Sequence, residues 1–349
     1  MFGYDATSPL VRTAVTLVVA CMGAVLARAI HAPVYMLTGP AAAVSLAALA
    51  GLQVQIDPRF RNACFVVLGL TVGAGFNADA LGTMARWPLA FIGVAVLTWG
   101  TMVACRIVLV RGFGFARDTA ILAGAPGHLS FVIAMAESNR RDVARISVTQ
   151  SVRLLMLTLL VPLVALLLGV DMGAAVMPQG QDWPLWVLGL LGILAVIAAA
   201  ALKRVHVPAP LLIGAMVVAG IWQLSGVATG TMPQWLVLPA YLALGALIGT
   251  RFAGVAAADL WRNLGAGLAI TAIAVVFAAV ASAVTAVALG MPHSHVLLAF
   301  APGGLETMIA MGVVMGVVPG FVAACHMTRL MVLSVLLPVM TRSGAQTDN

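Results

Sequence analysis

The sequence predicts an all-α, polytopic membrane protein of two inverted repeats, each with about five transmembrane helices plus a re-entrant or broken Pro-Gly helix. Three observations lead to this class. Of 349 residues, 62% are hydrophobic and only 8% are charged, where soluble domains carry about a quarter charged residues. The apolar residues gather into twelve runs, most of them near the roughly 17–25 residues that span a bilayer as a helix. The second half of the chain also repeats the first. Ala125–Pro162 aligns with Ala301–Pro338 at a shift of 176 without a gap, and twelve of the thirty-eight positions are identical.

Taken in order, the runs cover residues 13–30, 33–51, 62–76, 88–110, 119–136 and 146–170, then 184–202, 207–226, 234–250, 263–290, 294–316 and 318–340. A short polar linker with Asp171 and Asp182 separates the two sets. The chain therefore reads as a single membrane domain over 1–349, made of a first repeat at 11–170 and a second at 184–340. The early runs match as well: His31, Pro33 and Gly39 answer His206, Pro208 and Gly214 at a shift of 175. Gly69-x-x-x-Gly73 answers Gly245-x-x-x-Gly249. That spacing lets helix backbones approach closely in lipid, so it predicts tight helix packing and no chemistry.

The fifth run of each repeat contains a Pro-Gly pair, and the distribution of Lys and Arg suggests how it lies. If every run crosses, the loop charges divide nine to six. If each Pro-Gly run dips in and returns on the same side, thirteen fall on one side, and only Arg28 and Arg86 remain on the other. The second division fits the excess of basic residues on a cytoplasmic face. It leaves five crossings per repeat, an odd number, so the halves insert with opposite orientation, as in many secondary transporters. Both termini are then cytoplasmic, and the protein is placed in the cell (inner) membrane. The first ten residues lack a basic n-region, which predicts that the first run is kept as an anchor.

Several function classes are excluded on composition. The net charge of +7 is scattered over short loops, and no segment is long enough for a soluble recognition module, so direct nucleic-acid binding is not expected. No phosphate-binding P-loop occurs. Cys21, Cys64, Cys105 and Cys325 show no Cys-x-x-Cys spacing and read as small apolar residues. The histidines are scattered over both halves, whereas a copper site needs converging imidazoles. The expectation is a non-enzyme with no cofactor and no metal.

The candidate site is Pro126, Gly127 and His128 with Gln150 and Arg153, and in the second repeat Pro302, Gly303 and Gly304 with His326 and Arg329. A proline at the first turn of a half-helix loses no hydrogen bond, and glycine permits close backbone approach. The free N–H groups of such a half-helix form an anion site; the plainer alternative is a kinked structural helix. Each arginine lies inside an apolar run, where it needs a partner. A ligand is one possibility. A backbone carbonyl, Gln150 for Arg153 or His326 for Arg329, is the other. Glu306, just inside the second half-helix, is either a helix-capping charge or the group that couples transport to an ion. Glu137 and the cluster Arg140, Arg141, Asp142 and Arg145 read as a solvated loop.

Glu137, Asp142, Ile146, Gln150, Arg153 and Pro162 together resemble the first repeat of the AbrB-duplication membrane family. Ala301-Pro-Gly-Gly-Leu305-Glu306 with His326 and Arg329 resembles its second repeat. The resemblance spans nearly the whole chain and departs at His128, where the other copy has Gly304. It implies an integral membrane protein with internal duplication. The family has been labelled both a regulator of gene expression and an ammonia monooxygenase, and it shares only its short name with a small soluble DNA-binding regulator. The function expected from the residues is secondary transport of a small anionic solute by alternating access around a midplane site. The competing expectation is a membrane-embedded sensor that affects gene expression indirectly. The partners expected are a small-molecule anion, the lipid bilayer and a possible second copy of the chain.

Overall fold

A computed structural model describes residues 8–76, 87–127, 129–138, 140–167 and 180–342. Among these the regular structure is helical, apart from an isolated bridge between Asp182 and Thr231. The helices are α1 (Pro9–Ala29), α2 (Tyr35–Leu49), α3 (Pro58–Ala74), α4 (Trp87–Phe113), α5 (Arg117–Gly124), α6 (Leu129–Ser138) and α7 (Val143–Leu167). The second half supplies α8 (Leu185–Arg204), α9 (Pro210–Ser225), α10 (Gln234–Gly249), α11 (Ala257–Leu289), α12 (His293–Phe300), α13 (Leu305–Val314) and α14 (Pro319–Arg342). Seven of them (α1, α4, α7, α8, α10 with its 3-10 extension, α11 and α14) are long and apolar enough to cross a bilayer. The protein is thus a polytopic helical membrane protein. Three further expected crossings, α2, α3 and α9, have 15, 17 and 16 residues and are shorter than or at the lower edge of the usual span.

Local signals explain the helix boundaries. Asp57 caps α3, its Oδ1 accepting from the N–H groups of Arg59 at 2.8 Å and Phe60 at 3.4 Å, and Pro58 occupies the first turn, where no N–H is needed. α2 and α9 start after a matched irregularity. His31 and Val34 before α2, and His206 and Ala209 before α9, all have positive φ, between 46° and 57°. Left-handed backbone at non-glycine residues, one of them β-branched, is uncommon. Its recurrence at a shift of 175 shows the internal repeat in the backbone itself. Outward faces are apolar: Val276, Val280, Val284 and Val287 form an exposed stripe along α11, and Trp186, Ile193 and Ile197 do so on α8. Such faces suit hydrocarbon.

The chain divides into two compact units, and each repeat contributes to both. Unit 1 comprises residues up to Leu81, Gly169–Gly254 and Ile309–Gly320, and so holds α1–α3, α8–α10 and the end of α13. In it the third helix of one repeat packs on the second helix of the other. A Cβ added to Gly69 or Gly73 of α3 would fall 2.3 or 2.4 Å from the carbonyl oxygens of Leu212 and Met216 on α9. On α10, a Cβ at Gly245 would fall 2.5 Å from the Leu37 oxygen of α2, and one at Gly249 2.6 Å from the Val44 Cβ. The predicted glycine packing is therefore realised, and it is reciprocal between repeats. Side-chain bonds fasten the loops: Thr16 and Thr13 of α1 accept from the N–H groups of Gln55 at 2.9 Å and Asp57 at 2.8 Å.

Unit 2 comprises Gly82–Leu168, Val255–Met308 and the chain from Phe321 on, and holds α4–α7, α11, α12, the start of α13 and α14. At one end of it, Arg141 forms an ion pair with Asp118. Arg145 donates to the carbonyls of Phe113 at 2.8 Å and Gly114 at 3.3 Å and to Asn263 at 3.2 Å. Its guanidinium also lies 3.6 Å over the Phe115 ring. Arg141 is exposed, as the solvated loop read from the sequence implies, whereas Arg145, read as part of the same loop, is a partly buried fastener. The reason is that four chain ends meet here and present carbonyls and a carboxylate that the sequence does not place together. Asp118 begins α5 and Arg141 follows α6, so the chain enters and leaves the α5–α6 pair at the same end. The first Pro-Gly segment is a helix–break–helix hairpin whose two ends meet.

Two expectations follow. Cysteines placed at positions 115 and 140 should react with a membrane-impermeant reagent from the same side; labelling from opposite sides would contradict the hairpin. Gly73→Ala should lower apparent stability in detergent by about 1–3 kcal/mol, as overpacking does. Gly189→Ala, whose Cβ would meet open space, should change it by no more than ~0.5 kcal/mol. Indistinguishable melting of the two variants would show that the α3–α9 crossing tolerates an added methyl.

Candidate functional site

The site grows from two prolines. A residue before proline is pushed out of the helical region, and Ala125 and Ala301 are extended, with ψ of 120° and 126°. α5 and α12 therefore stop just before Pro126 and Pro302, and α6 and α13 restart after the glycines. Each break exposes two kinds of unpaired backbone. The end of the incoming half-helix presents carbonyls with partial negative charge, and the start of the outgoing one presents N–H groups with partial positive charge.

The arginines take the carbonyls. Arg153 Nη1 donates to the Ala125 carbonyl at 2.9 Å, and Arg329 Nη1 donates to the equivalent Ala301 carbonyl at 3.1 Å. α5 has eight residues, so at a rise of about 1.5 Å per residue its end lies roughly 12 Å deep. Arg153, eleventh in α7, lies at a comparable roughly 15 Å. The remaining bonds differ between repeats. Arg153 Nη2 donates to Gln150 Oε1 at 3.2 Å, while Gln150 Nε2 donates to Leu122 at 2.8 Å and Ala125 at 3.4 Å. Arg329 Nη2 instead reaches the Phe300 carbonyl at 2.7 Å and that of Ala299 at 3.3 Å. The partners are the carbonyls and, for Arg153, the glutamine; no bond joins Arg329 to His326.

The breaks also touch the opposite arginine helix. A Cβ added to Gly127 would fall 2.4 Å from Leu333 and 3.7 Å from Leu330 on α14, and one at Gly304 would fall 3.6 Å from Leu154 on α7. Leu154 and Leu330 directly follow the arginines and are themselves equivalent, so each arginine helix contacts both breaks. The two guanidinium groups are close enough to interact electrostatically. Unit 2 thus gathers Pro126, Gly127, Gln150, Arg153, Pro302, Gly303, Gly304, Glu306, His326 and Arg329. His128 lies outside the described residues. Pro126, Pro302, Gln150, both arginines and His326 are buried, whereas Gly127, Gly303, Gly304 and Glu306 are partly exposed.

Among the described residues, four buried side-chain atoms lack a hydrogen-bond partner, including Arg153 Nε, Thr149 Oγ1 and His326 Nε2. Sequence reasoning missed Thr149, which carries no repeat signal because its counterpart is Cys325. It also missed Leu154 and Leu330, although both are among the twelve identical positions. Among the described residues no three His, Cys, Asp or Glu side chains are grouped to hold a metal ion.

The bonding pattern orders the two arginines. Arg329→Ala would leave three carbonyls without their donor and is expected to lower stability by about 3 kcal/mol or more. Arg153→Ala should cost less, because Gln150 still donates to Leu122 and Ala125. Thermal unfolding in detergent would check the order, and equal losses would contradict it.

Comparison with known proteins agrees with the resemblance read from the motifs. The family described as "Transition state regulatory protein AbrB" matches residues 36–344. "Putative regulator AbrB" of Escherichia coli (strain K12) is 23% identical over 319 residues, covering 90% of this chain and 91% of that protein. "Uncharacterized protein YhjN" of Bacillus subtilis (strain 168) is 25% identical over 308 residues, covering 83% of this chain and 80% of that one. The chain belongs to the AbrB family.

Proposed function

We propose that this AbrB-family membrane protein is a secondary transporter that moves a small anionic solute by alternating access, with the solute held at the paired Pro-Gly breaks. One observation carries the reading. At both breaks an arginine neutralises the carbonyl end of the incoming half-helix, while the positive N-terminal end of the outgoing half-helix stays partly open, with no acidic side chain in its first turn at the first break and Glu306 at the second. Anions are favoured at such ends. α6 has no acidic residue in its first turn, so its end suits a solute's negative group. α13 carries Glu306 there, partly exposed and with no hydrogen bond or ion pair among the described residues, which suits a proton or cation that travels with the solute. Arg153 and Arg329 then act through their charge and by holding the breaks open, more than by gripping the solute with their forks.

The reading involves no catalysis, cofactor or metal. It places the protein in the cell membrane with both termini cytoplasmic and the repeats inverted, by the distribution of loop arginines. A second reading is favoured by names alone: the family description and the Escherichia coli relative both carry the word regulator. In that reading the same site senses a solute without net flux, and any effect on gene expression is indirect.

The two are separated by reconstitution. A thermal-shift screen of purified protein against metabolite anions should find one that stabilises it by ~2.7 kcal/mol at a hundred times its Kd. Proteoliposomes should then accumulate that anion along an ion gradient, and Glu306→Gln should abolish accumulation while preserving solute exchange. Binding without exchange or uptake would favour the sensor. No stabilising anion at all would remove the support for both.

A further inference from the structure

Gln150 and His326 occupy equivalent positions, each one turn before its arginine, and they do different amounts of work. Gln150 is a permanent double fastener: its amide N–H groups reach the Leu122 and Ala125 carbonyls and its oxygen receives Arg153. His326 is 3% exposed and its Nδ1 lies 2.9 Å from the Val322 carbonyl of its own helix. A carbonyl can only accept, so that contact places the ring hydrogen on Nδ1. In a neutral imidazole the other nitrogen then carries a lone pair and no hydrogen. That atom, Nε2, is buried and has no partner, whereas the equivalent Gln150 Nε2 reaches the Ala125 carbonyl, whose counterpart in the second repeat is Ala301. The second repeat thus has a buried lone pair where the first has the amide donor of Gln150.

We propose that His326 is a proton-binding site that fastens the second Pro-Gly break when it is occupied. A proton from water adds to Nε2, and the imidazolium then donates from both nitrogens, to Val322 and to Ala301. The bond to Ala301 is the counterpart of the one that Gln150 gives to Ala125 in the first break at every pH. The first break is fixed and the second is proton-dependent. The inference rests on the geometry of the second break, and it deepens the transport reading by naming a seat for a coupling proton other than Glu306.

The charged and titratable groups around the ring set the terms. On α14 itself, Arg329 and the buried Cys325 neighbour it. Arg153 on α7 lies within electrostatic reach of Arg329, and Glu306 stands at the start of α13. Burial and the positive arginines both oppose a second positive charge, so a negative charge must accompany it. Glu306 or an anion at the start of α13 can supply that charge. Proton and anion then strengthen each other's binding by the same factor, as linkage requires.

The test uses full-length protein in lipid nanodiscs with no added solute. With 15N-labelled histidine, the His326 signal is assigned by its loss in His326→Gln. It should show a neutral Nδ1–H ring at pH 8 and imidazolium by pH 5. A ring that stays neutral down to pH 5 overturns the proposal, and so does a neutral ring whose Nε2 exchanges magnetisation with a bound water. Backbone hydrogen exchange gives a second readout, corrected for the intrinsic effect of pH. The segment 299–305 should exchange at least fivefold more slowly at pH 5 than at pH 8, with no such change in 123–127. His326→Gln should be slow at both pH values; wild-type pH dependence in that variant would sink the idea. Should the variant fail to fold, the contrast between the two segments in the wild type decides. Neither measurement uses a transported solute, so a failure of the transport reading would show separately.

Discussion

The bond from an arginine Nη1 to the carbonyl of the alanine before Pro-Gly is the interaction on which the rest of unit 2 depends. Hydrocarbon offers no water to a broken helix, so a break survives only if protein satisfies the groups it frees. Proline ends the incoming half-helix, the freed carbonyls need a donor, and the donor must come from a helix running alongside at the same depth. Arg153 and Arg329 meet that need identically at Ala125 and Ala301. A charge that would be costly in the membrane and a backbone that would be costly in the membrane cancel each other. What is left over is the open N-terminal end of each outgoing half-helix, and that remainder is where the proposed chemistry lies.

Much of this was legible because the relevant signals are local or repeated. Pro126-Gly127 and Pro302-Gly303 announce the breaks by a backbone rule that needs no partner. The paired Gly-x-x-x-Gly motifs announce tight crossings. Other features were hidden because they depend on which segments meet. Arg145 reads as one more loop charge until the ends of α4 and α7 and Asn263 of α11 are brought to it. The sequence divides into consecutive repeats, whereas packing divides the chain across them, three helices of each going to unit 1. The partner of each arginine was also undecidable from spacing, since a neighbour one turn earlier and a carbonyl of another segment were both open to it; Arg153 uses both.

The differences between the repeats are as informative as their likeness. Two copies with identical roles would have no reason to differ at the arginine's neighbour, yet one has glutamine and the other histidine. The capping of the second break has shifted accordingly, with Arg329 taking two carbonyls, at Ala299 and Phe300, that have no counterpart among the bonds of Arg153. The acidic residue at the start of α13 has no match on α6. The two hairpins therefore share a frame and differ in the side chains that line it.

The reciprocal packing in unit 1 bears on how such a chain could arise and be assembled. Because α3 closes on α9 and α10 closes on α2, the first 170 residues cannot bury the glycine face of α3. A single-repeat ancestor would have had to pair with a second copy of itself, and gene fusion would have made that pairing permanent. In the cell, α1 and α2 can close on each other through Gly23 and Gly39 at once, but the faces of α2 and α3 that meet α10 and α9 must wait until the ribosome has delivered those helices. The tight crossings are therefore a late step in biogenesis, and a chain truncated at the linker would reach the membrane but never close.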